Sequence, residues 1–346
     1  MRRVTLRQIS EQVGLSTFAV SRSLSGKDGV SEGTRRMVVQ AAARLGYIKP
    51  RPPASRDIAL VFHDLDLVNS ELHIQIQNGV QREAQRLQQR VRLQWTHNPE
   101  QIADLAQTSA GLLLVGQHDR TTIQTVNASG VPVVRLGWVD PLEQVDQVTG
   151  TDHEGGQAVA QYLIDLGHRC IAYVHGTPGY RGRLERFYGT REIAEKYPDV
   201  RLHQMQFDED GGFVEAFRAL KRSGIDPTAF FCAHDGLAVT VVSELLGLGY
   251  RIPEEVSVVG FCDFSPATQI SPQLTTVRVE GAEMGVAALR LLLERIRAGG
   301  SSGVPAQRIQ IASRIIERRS AGPRPAERTS AAASNRRSHA RLANRS

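Results

Sequence analysis

The sequence predicts a small all-α head in a helix-turn-helix arrangement, followed by a larger α/β body of doubly wound parallel sheets in two lobes. Three observations predict it. In the first 45 residues apolar side chains recur three or four positions apart in three short runs; a basic, proline-rich stretch follows; and beyond it apolar strand-like runs alternate with amphipathic helical ones. The expected units are a head over 1–49, a linker over 50–57, a body over 58–317 and a disordered basic tail over 318–346.

In the head, the helical stripes are Leu6, Ile9 and Val13; then Val20 and Leu24; then Val38, Ala41, Ala42 and Leu45. Each has a start signal, because a side-chain oxygen can accept from amides that the first turn leaves without partners. Thr5 with Gln8 forms a capping box, Ser16 precedes the second helix, and Ser31-Glu32 opens the third. Gly14-Leu15-Ser16 reads as the tight turn between helices one and two, and Ser25-Gly26-Lys27-Asp28-Gly29 as the loop before helix three. With Val20 and Leu24 facing inward, Thr17, Phe18, Ser21 and Arg22 of the second helix face outward.

An α-helix fits the major groove of B-DNA, where a guanidinium can contact guanine and an apolar group can meet a thymine methyl. Arg22 and Phe18 suit these roles, with Thr17 beside them as a third candidate base contact. Thr5, Ser16, Ser21, Ser31, Thr34 and Tyr47 carry hydroxyls near helix starts and are the candidate phosphate contacts. Charge agrees. The net charge of +6 conceals a basic head (11 Lys and Arg against 3 Asp and Glu in residues 1–56) and an acidic body (23 against 32 in 57–317), with a basic end (8 against 1). A positive head on a negative body directs the head toward a polyanion.

Residues 48–56 are polar, basic and proline-rich, and read as an extended linker. Beyond it, strands are expected at 58–62, 91–95, 112–115, 132–136, 170–174, 230–232 and 256–261, and helices at 74–87, 157–166, 184–196, 213–222, 237–248 and 284–296. Ligands in open α/β sheets bind beyond the carboxyl ends of strands. That rule selects Trp138, Arg186, His234, Asp235, Cys262 and Asp263. From residue 319 onward, Ala, Ser, Arg and Pro dominate, a composition that cannot offset its ordering entropy.

Several classes are excluded. There is no apolar run of membrane-spanning length and no signal-peptide pattern, so a cytoplasmic location is expected. Cys170, Cys232 and Cys262 match neither a disulfide framework nor a zinc site, and no metal or cofactor is expected. An enzyme is the alternative suggested by the glycine-rich loop over 176–182. Its spacing matches neither the dinucleotide fingerprint nor the P-loop, and no base-oriented nucleophile accompanies it.

The motifs as a set are recognisable. Val4-Thr5-Leu6-Arg7-Gln8-Ile9, Gly14-Leu15-Ser16, Ala19-Val20-Ser21-Arg22-Ser23-Leu24-Ser25-Gly26, Val30-Ser31-Glu32-Gly33-Thr34-Arg35 and Leu45-Gly46-Tyr47 closely resemble the headpiece of the lac repressor (LacI/GalR) family. The likeness continues through Leu163-Ile164-Asp165-Leu166-Gly167-His168, Ile252-Pro253-Glu254-Glu255-Val256-Ser257-Val258-Val259-Gly260-Phe261 and Leu274-Thr275-Thr276-Val277. The resemblance implies a two-lobed body similar to periplasmic binding proteins, a first crossing between lobes near 152–156, a homodimer, and double-stranded operator DNA as partner. It also implies a small-molecule effector, a sugar or an anionic metabolite, gripped by Arg186, whose binding alters lobe closure and so the DNA response.

Four places depart from the family pattern. His234 stands where the family often has Asn, and Cys262 where it usually has an effector-binding Asp; with Arg183 and Arg186 nearby, these changes direct the expectation toward an anionic ligand. The linker, with Pro50, Pro52 and Pro53, is short and holds no leucine wedge for the minor groove. The loop over 64–71 lacks the paired aromatics of relatives. The alternative compatible with these departures is a DNA-binding regulator that responds to no effector.

Overall fold

The computed structural model describes residues 6–24, 30–45, 57–66, 68–176, 178–207, 212–299 and 304–324. The chain divides into two compact units, Met1–Ala54 and Ser55–Ser346.

The first unit holds α1 (Leu6–Val13), α2 (Thr17–Leu24) and α3 (Glu32–Leu45). None of these helices is long enough to persist alone, so their stability comes from packing. Ile9, Val20 and Val38 are fully buried against Ala41 and Ala42, with Val13, Leu15, Leu24 and Leu45 around them. Each large buried side chain contributes about 1.5–3 kcal/mol. Gly14 turns the chain with φ +66, a conformation that costs a side-chain-bearing residue but not glycine. Ser16 Oγ accepts from the Ala19 amide at 3.1 Å and Ser31 Oγ from the Thr34 amide at 3.2 Å, so both expected caps are made. Thr5 with its capping box, the loop over 25–29, Tyr47, the linker up to residue 56 and the end from 325 lie outside the described residues.

In the second unit, β1 (Ile58–Phe62), β2 (Val91–Trp95), β3 (Gly111–Val115), β4 (Val133–Leu136), β5 (Asp146–Gly150) and β11 (Arg308–Ile311) form one parallel sheet in the order β11-β5-β4-β3-β1-β2. Side chains alternate across it. Ala59 and Val61 join the core under α5 (Pro99–Thr108) and α6 (Arg120–Ala128), while Ile58, Leu60 and Phe62 pack toward α4 (Ser70–Arg86) and α12 (Gly281–Arg297). The second lobe is a parallel sheet ordered β7-β6-β8-β9, from β6 (Cys170–His175), β7 (Arg201–Gln206), β8 (Ala229–Cys232) and β9 (Ser257–Val259). Around it lie α7 (Asp152–Asp165), α8 (Arg181–Ala194), α9 (Phe213–Arg222), α10 (Asp235–Gly247) and the short α11 (Pro266–Gln269).

The chain passes between the lobes three times: between β5 and α7, between β10 (Thr276–Arg278) and α12, and between β11 and β12 (Arg314–Ile316). The last two crossings are tied together, because β10 and β12 pair antiparallel. Close helix contacts set the site. A Cβ on Gly156 would meet the carbonyl of Arg186 and one on Gly189 the carbonyl of His153, so α7 and α8 touch backbone to backbone. That contact brings the first turn of α7 against the middle of α8.

One expectation needs correction. Residues 318–324, assigned from composition to a disordered tail, are packed onto the second lobe. Ser320 is fully buried; its Oγ donates to the Val258 carbonyl at 2.6 Å and accepts from the Thr275 amide at 2.8 Å. The Gly322 carbonyl is met by Ser257 Oγ at 3.1 Å. Backbone and hydroxyl hydrogen bonds order this segment without any large apolar residue, which composition cannot show.

Candidate DNA-reading helix and interlobe cleft

On the head, α2 places Val20 in the core and leaves Phe18 69% exposed. Thr17 is exposed beside it, and the Arg22 guanidinium lies 5.5 Å from the Phe18 ring centroid. The three candidate base contacts thus share one outward face of a helix one turn past a tight corner. Ser16 and Ser31 are exposed and Ser21 and Thr34 half-buried, with the Ser31 and Thr34 hydroxyls 2.8 Å apart. Thr5 and Tyr47 lie outside the described residues.

In the body, a cavity of about 110 Å³ opens where the carboxyl ends of both sheets face each other. Of the six residues selected from the sequence, Trp138, Arg186 and His234 line it. Trp138 and Arg186 are joined through Asp152 at the first crossing. Arg186 donates through Nε to Asp152 Oδ1 at 2.9 Å, Trp138 donates through Nε1 to Oδ2 at 2.9 Å, and Arg186 Nη1 donates to the Ala233 carbonyl. Phe261 lies under the guanidinium, whose carbon is 3.8 Å from the ring centroid. Burial by itself would lower the Arg186 pKa, but the Asp152 carboxylate holds it raised, so the cation persists.

Asp235, Cys262 and Asp263 are not on the cavity wall. Asp235 is fully buried behind it, accepting from Thr276 Oγ1 at 2.6 Å and from the Phe264 amide at 2.7 Å. Burial pushes its carboxyl up to about 7. Asp263 accepts from Arg278 Nε and Arg318 Nη2, both at 2.6 Å. Cys262 is buried, with its thiol pushed up to about 12 by burial. Cys262 (φ +106) and Asp263 (φ +57) hold consecutive left-handed conformations that side-chain-bearing residues rarely adopt. This segment therefore supports Arg186 through Phe261 and grips the crossing strand β10, which is a different task from touching a ligand.

The structure adds residues that were not singled out in the sequence. Asp66 is buried in the loop after β1, where Asn69 Nδ2 donates to it at 2.9 Å, His73 Nε2 lies 3.4 Å away and Tyr180 Oη donates from the other lobe at 3.2 Å. These hydrogen bonds overcome the effect of burial and keep the Asp66 pKa lowered. Gln117 Nε2 also reaches across, to the Gly179 carbonyl at 2.8 Å. His73 sits on the buried stripe of α4 with Ile76 and Val80, and a polar side chain on an apolar stripe is the signal that could have found it. The glycine-rich loop serves close packing. A Cβ on Gly182 would come within 2.8 Å of Asp152 Oδ2 and 2.9 Å of Trp138 Nε1, and one on Gly176 would meet Arg183 Nη1.

Comparison with known proteins matches these two parts in order. Residues 5–50 match the bacterial regulatory proteins of the lacI family, and residues 160–321 the periplasmic binding protein-like domain. The chain is 31% identical to the transcriptional regulator CelR of Thermobifida fusca, over 85% of this chain and 92% of the relative. It is 30% identical to the regulator MalR of Streptomyces coelicolor, over 93% and 98%. Among solved structures, a CelR–cellobiose complex superposes with a TM-score of 0.67 at 29% identity, covering 92% of this chain and all of that one. The lac repressor dimer bound to operator and the anti-inducer ONPF has the same fold, with a TM-score of 0.65 at 23% identity, covering 93% and 100%. The chain belongs to the lacI family of bacterial regulatory proteins and is a DNA-binding transcriptional regulator of the effector-binding kind.

Proposed function

We propose that this regulator is a cytoplasmic repressor that binds double-stranded operator DNA as a homodimer through the outward face of α2, and that a hydroxyl-rich small molecule between the lobes changes its operator affinity. The observation that carries the effector class is the Arg186–Asp152–Trp138 array on the cavity wall. Arg186 already has a carboxylate partner, and a compensated guanidinium holds neutral hydroxyls better than a second anion would be held. Asp66 and Asp152 supply acceptors for those hydroxyls, and Trp138 and Tyr180 supply ring faces. CelR of Thermobifida fusca has been solved with cellobiose, which agrees with a sugar as the ligand class.

A second reading is an anionic sugar derivative. One observation favours it: Arg181, Arg183 and Arg186 line the cavity against Asp66 and Asp152. In both readings the ligand is bound and released unchanged. An effector has to favour one lobe arrangement by differential affinity, because equal binding to both would shift nothing. The bonds from Tyr180 to Asp66 and from Gln117 to the Gly179 carbonyl supply the arrangement it would favour.

Calorimetric titration of the purified chain with neutral sugars, and in parallel with sugar phosphates and uronic acids, separates the readings. Heat with a neutral sugar, abolished by Arg186→Ala, is the expected result. Binding confined to the anions overturns the neutral reading, and unchanged binding by the variant removes Arg186 from the site.

A further inference from the structure

A second cavity, of about 370 Å³, lies on the first lobe. The Trp138 indole and the backbone of the loops over 117–118 and 137–140 stand between it and the interlobe cavity, so it is a separate space. Its floor is His118, in the loop after β3, and its walls are the start of α6 and the loop after β4.

His118 is only 7% exposed, and neither ring nitrogen has a partner at hydrogen-bonding geometry; the Val115 backbone comes near without reaching it. The His63 ring packs against it at 5.4 Å between centroids. Burial, with His63 and Arg135 nearby, pushes the His118 imidazole down to about 4, so near neutral pH one nitrogen can donate and the other accept. A buried imidazole without partners is costly unless a ligand or solvent supplies them.

The charges around this floor fall into two sets. Arg135 and Glu143 are consumed by each other at 2.8 Å, and Glu143 also accepts from the Asp140 amide at 3.0 Å. What remains on the wall is one exposed cation, Arg120, and one exposed anion, Asp140, and among the described residues neither side chain is in an ion pair, although Asp140 stands in the field of Arg135. Between them the lining is apolar: Ile123, Trp138 and Leu142. Leu142 is 91% exposed, the most exposed large apolar side chain among the described residues.

Two opposite charges that do not meet, with apolar surface and a neutral imidazole between them, match a small zwitterion. A neutral ligand would leave both charges unused, and an anion drawn to Arg120 would be repelled by Asp140. We propose that this outer cavity is a binding site for a free α-amino acid with an apolar side chain. Its carboxylate meets Arg120, its ammonium meets Asp140, its side chain lies against Trp138 and Leu142, and His118 completes the hydrogen bonds. The site is independent of which ligand the interlobe cavity takes.

The test is calorimetry on the full chain with L-leucine, L-phenylalanine, L-tryptophan and glycine. For the tightest of these, two analogues follow, one lacking the ammonium and one lacking the carboxylate. The same titrations are run on Arg120→Gln and on Asp140→Asn; both positions are exposed, and an unchanged melting temperature shows that each variant folds. At least one apolar amino acid is expected to bind, with glycine, either analogue and either variant each lowering the affinity by about tenfold or more. Neither Arg120 nor Asp140 lines the interlobe cavity, so loss in both variants places the ligand in the outer one. Silence from all three apolar amino acids overturns the proposal. So does equal binding of glycine or of either analogue, and so does an affinity that either variant keeps.

Discussion

The head and the cleft present their polar groups in opposite ways. On α2 the candidate contacts stand outward on a helix whose other side is anchored by a core of five buried residues, so the partner can be met without rearrangement. In the cleft the corresponding groups hold one another: Arg186 and Trp138 share Asp152, and Tyr180 meets Asp66 across the lobes. A ligand there has to join or replace bonds that already exist. The head is therefore suited to reading a surface, and the cleft to coupling occupancy with the arrangement of two lobes, since the candidate ligand contacts and the lobe contacts use the same side chains.

If that contrast holds, the largest effect comes from the cleft. Asp152→Ala leaves the buried Arg186 cation without its partner and should destabilise the body by about 3–5 kcal/mol, read as a lowered midpoint in denaturant. A midpoint within error of wild type would show that the pair does not stabilise the body. Next comes the head. Arg22→Ala should cost about 1–3 kcal/mol on a specific operator and little on random duplex, measured by fluorescence anisotropy at fixed salt. Equal losses on both would reassign Arg22 to the phosphate backbone. The smallest effect is local: Ser16→Ala removes the cap seen at 3.1 Å and should cost about 1 kcal/mol, followed as faster amide exchange in the first turn of α2. Exchange unchanged there would mean that packing alone sets the start of the helix.

The same contrast explains what could be read from the sequence. The head is local, and its stripes and serine caps lie within a few residues of the structure they make. In the body, elements with a clear alternating or amphipathic pattern were legible, with β2 and α9 found at residues 91–95 and 213–222 as expected. Others were hidden by polarity. β5 reads Asp-Gln-Val-Thr-Gly yet is buried throughout, because Arg295 of α12 pairs with Asp146 at 2.7 Å and Gln147 Nε2 donates to the Gly137 carbonyl at 2.6 Å. Arg295 lies too far along the chain for any window of sequence to connect the two. α6 is rich in Thr and other β-branched residues, a strand-like composition, and is made helical by the Asp119 cap on the Thr122 amide and by burial of Ile123 and Val126.

The cleft was half legible for the same reason. The rule of strand ends located Trp138, Arg186 and His234, but it cannot say which neighbouring side chain faces the ligand and which faces inward. Asp235 and Asp263 bear this out. They stand at the right strand ends, and both are consumed in holding Thr276, Phe264, Arg278 and Arg318. Asp66 and Tyr180 meet only after three crossings have brought the lobes together.

The account depends most on α2 reading sequence in a duplex. Genomic fragments retained by the purified chain at physiological salt can be sequenced, and the enriched site compared with a scrambled duplex of the same length by anisotropy. The account predicts affinity for the enriched site at least about 10³-fold above the scrambled one. Equal affinity for the two duplexes, with or without added sugars, would contradict it.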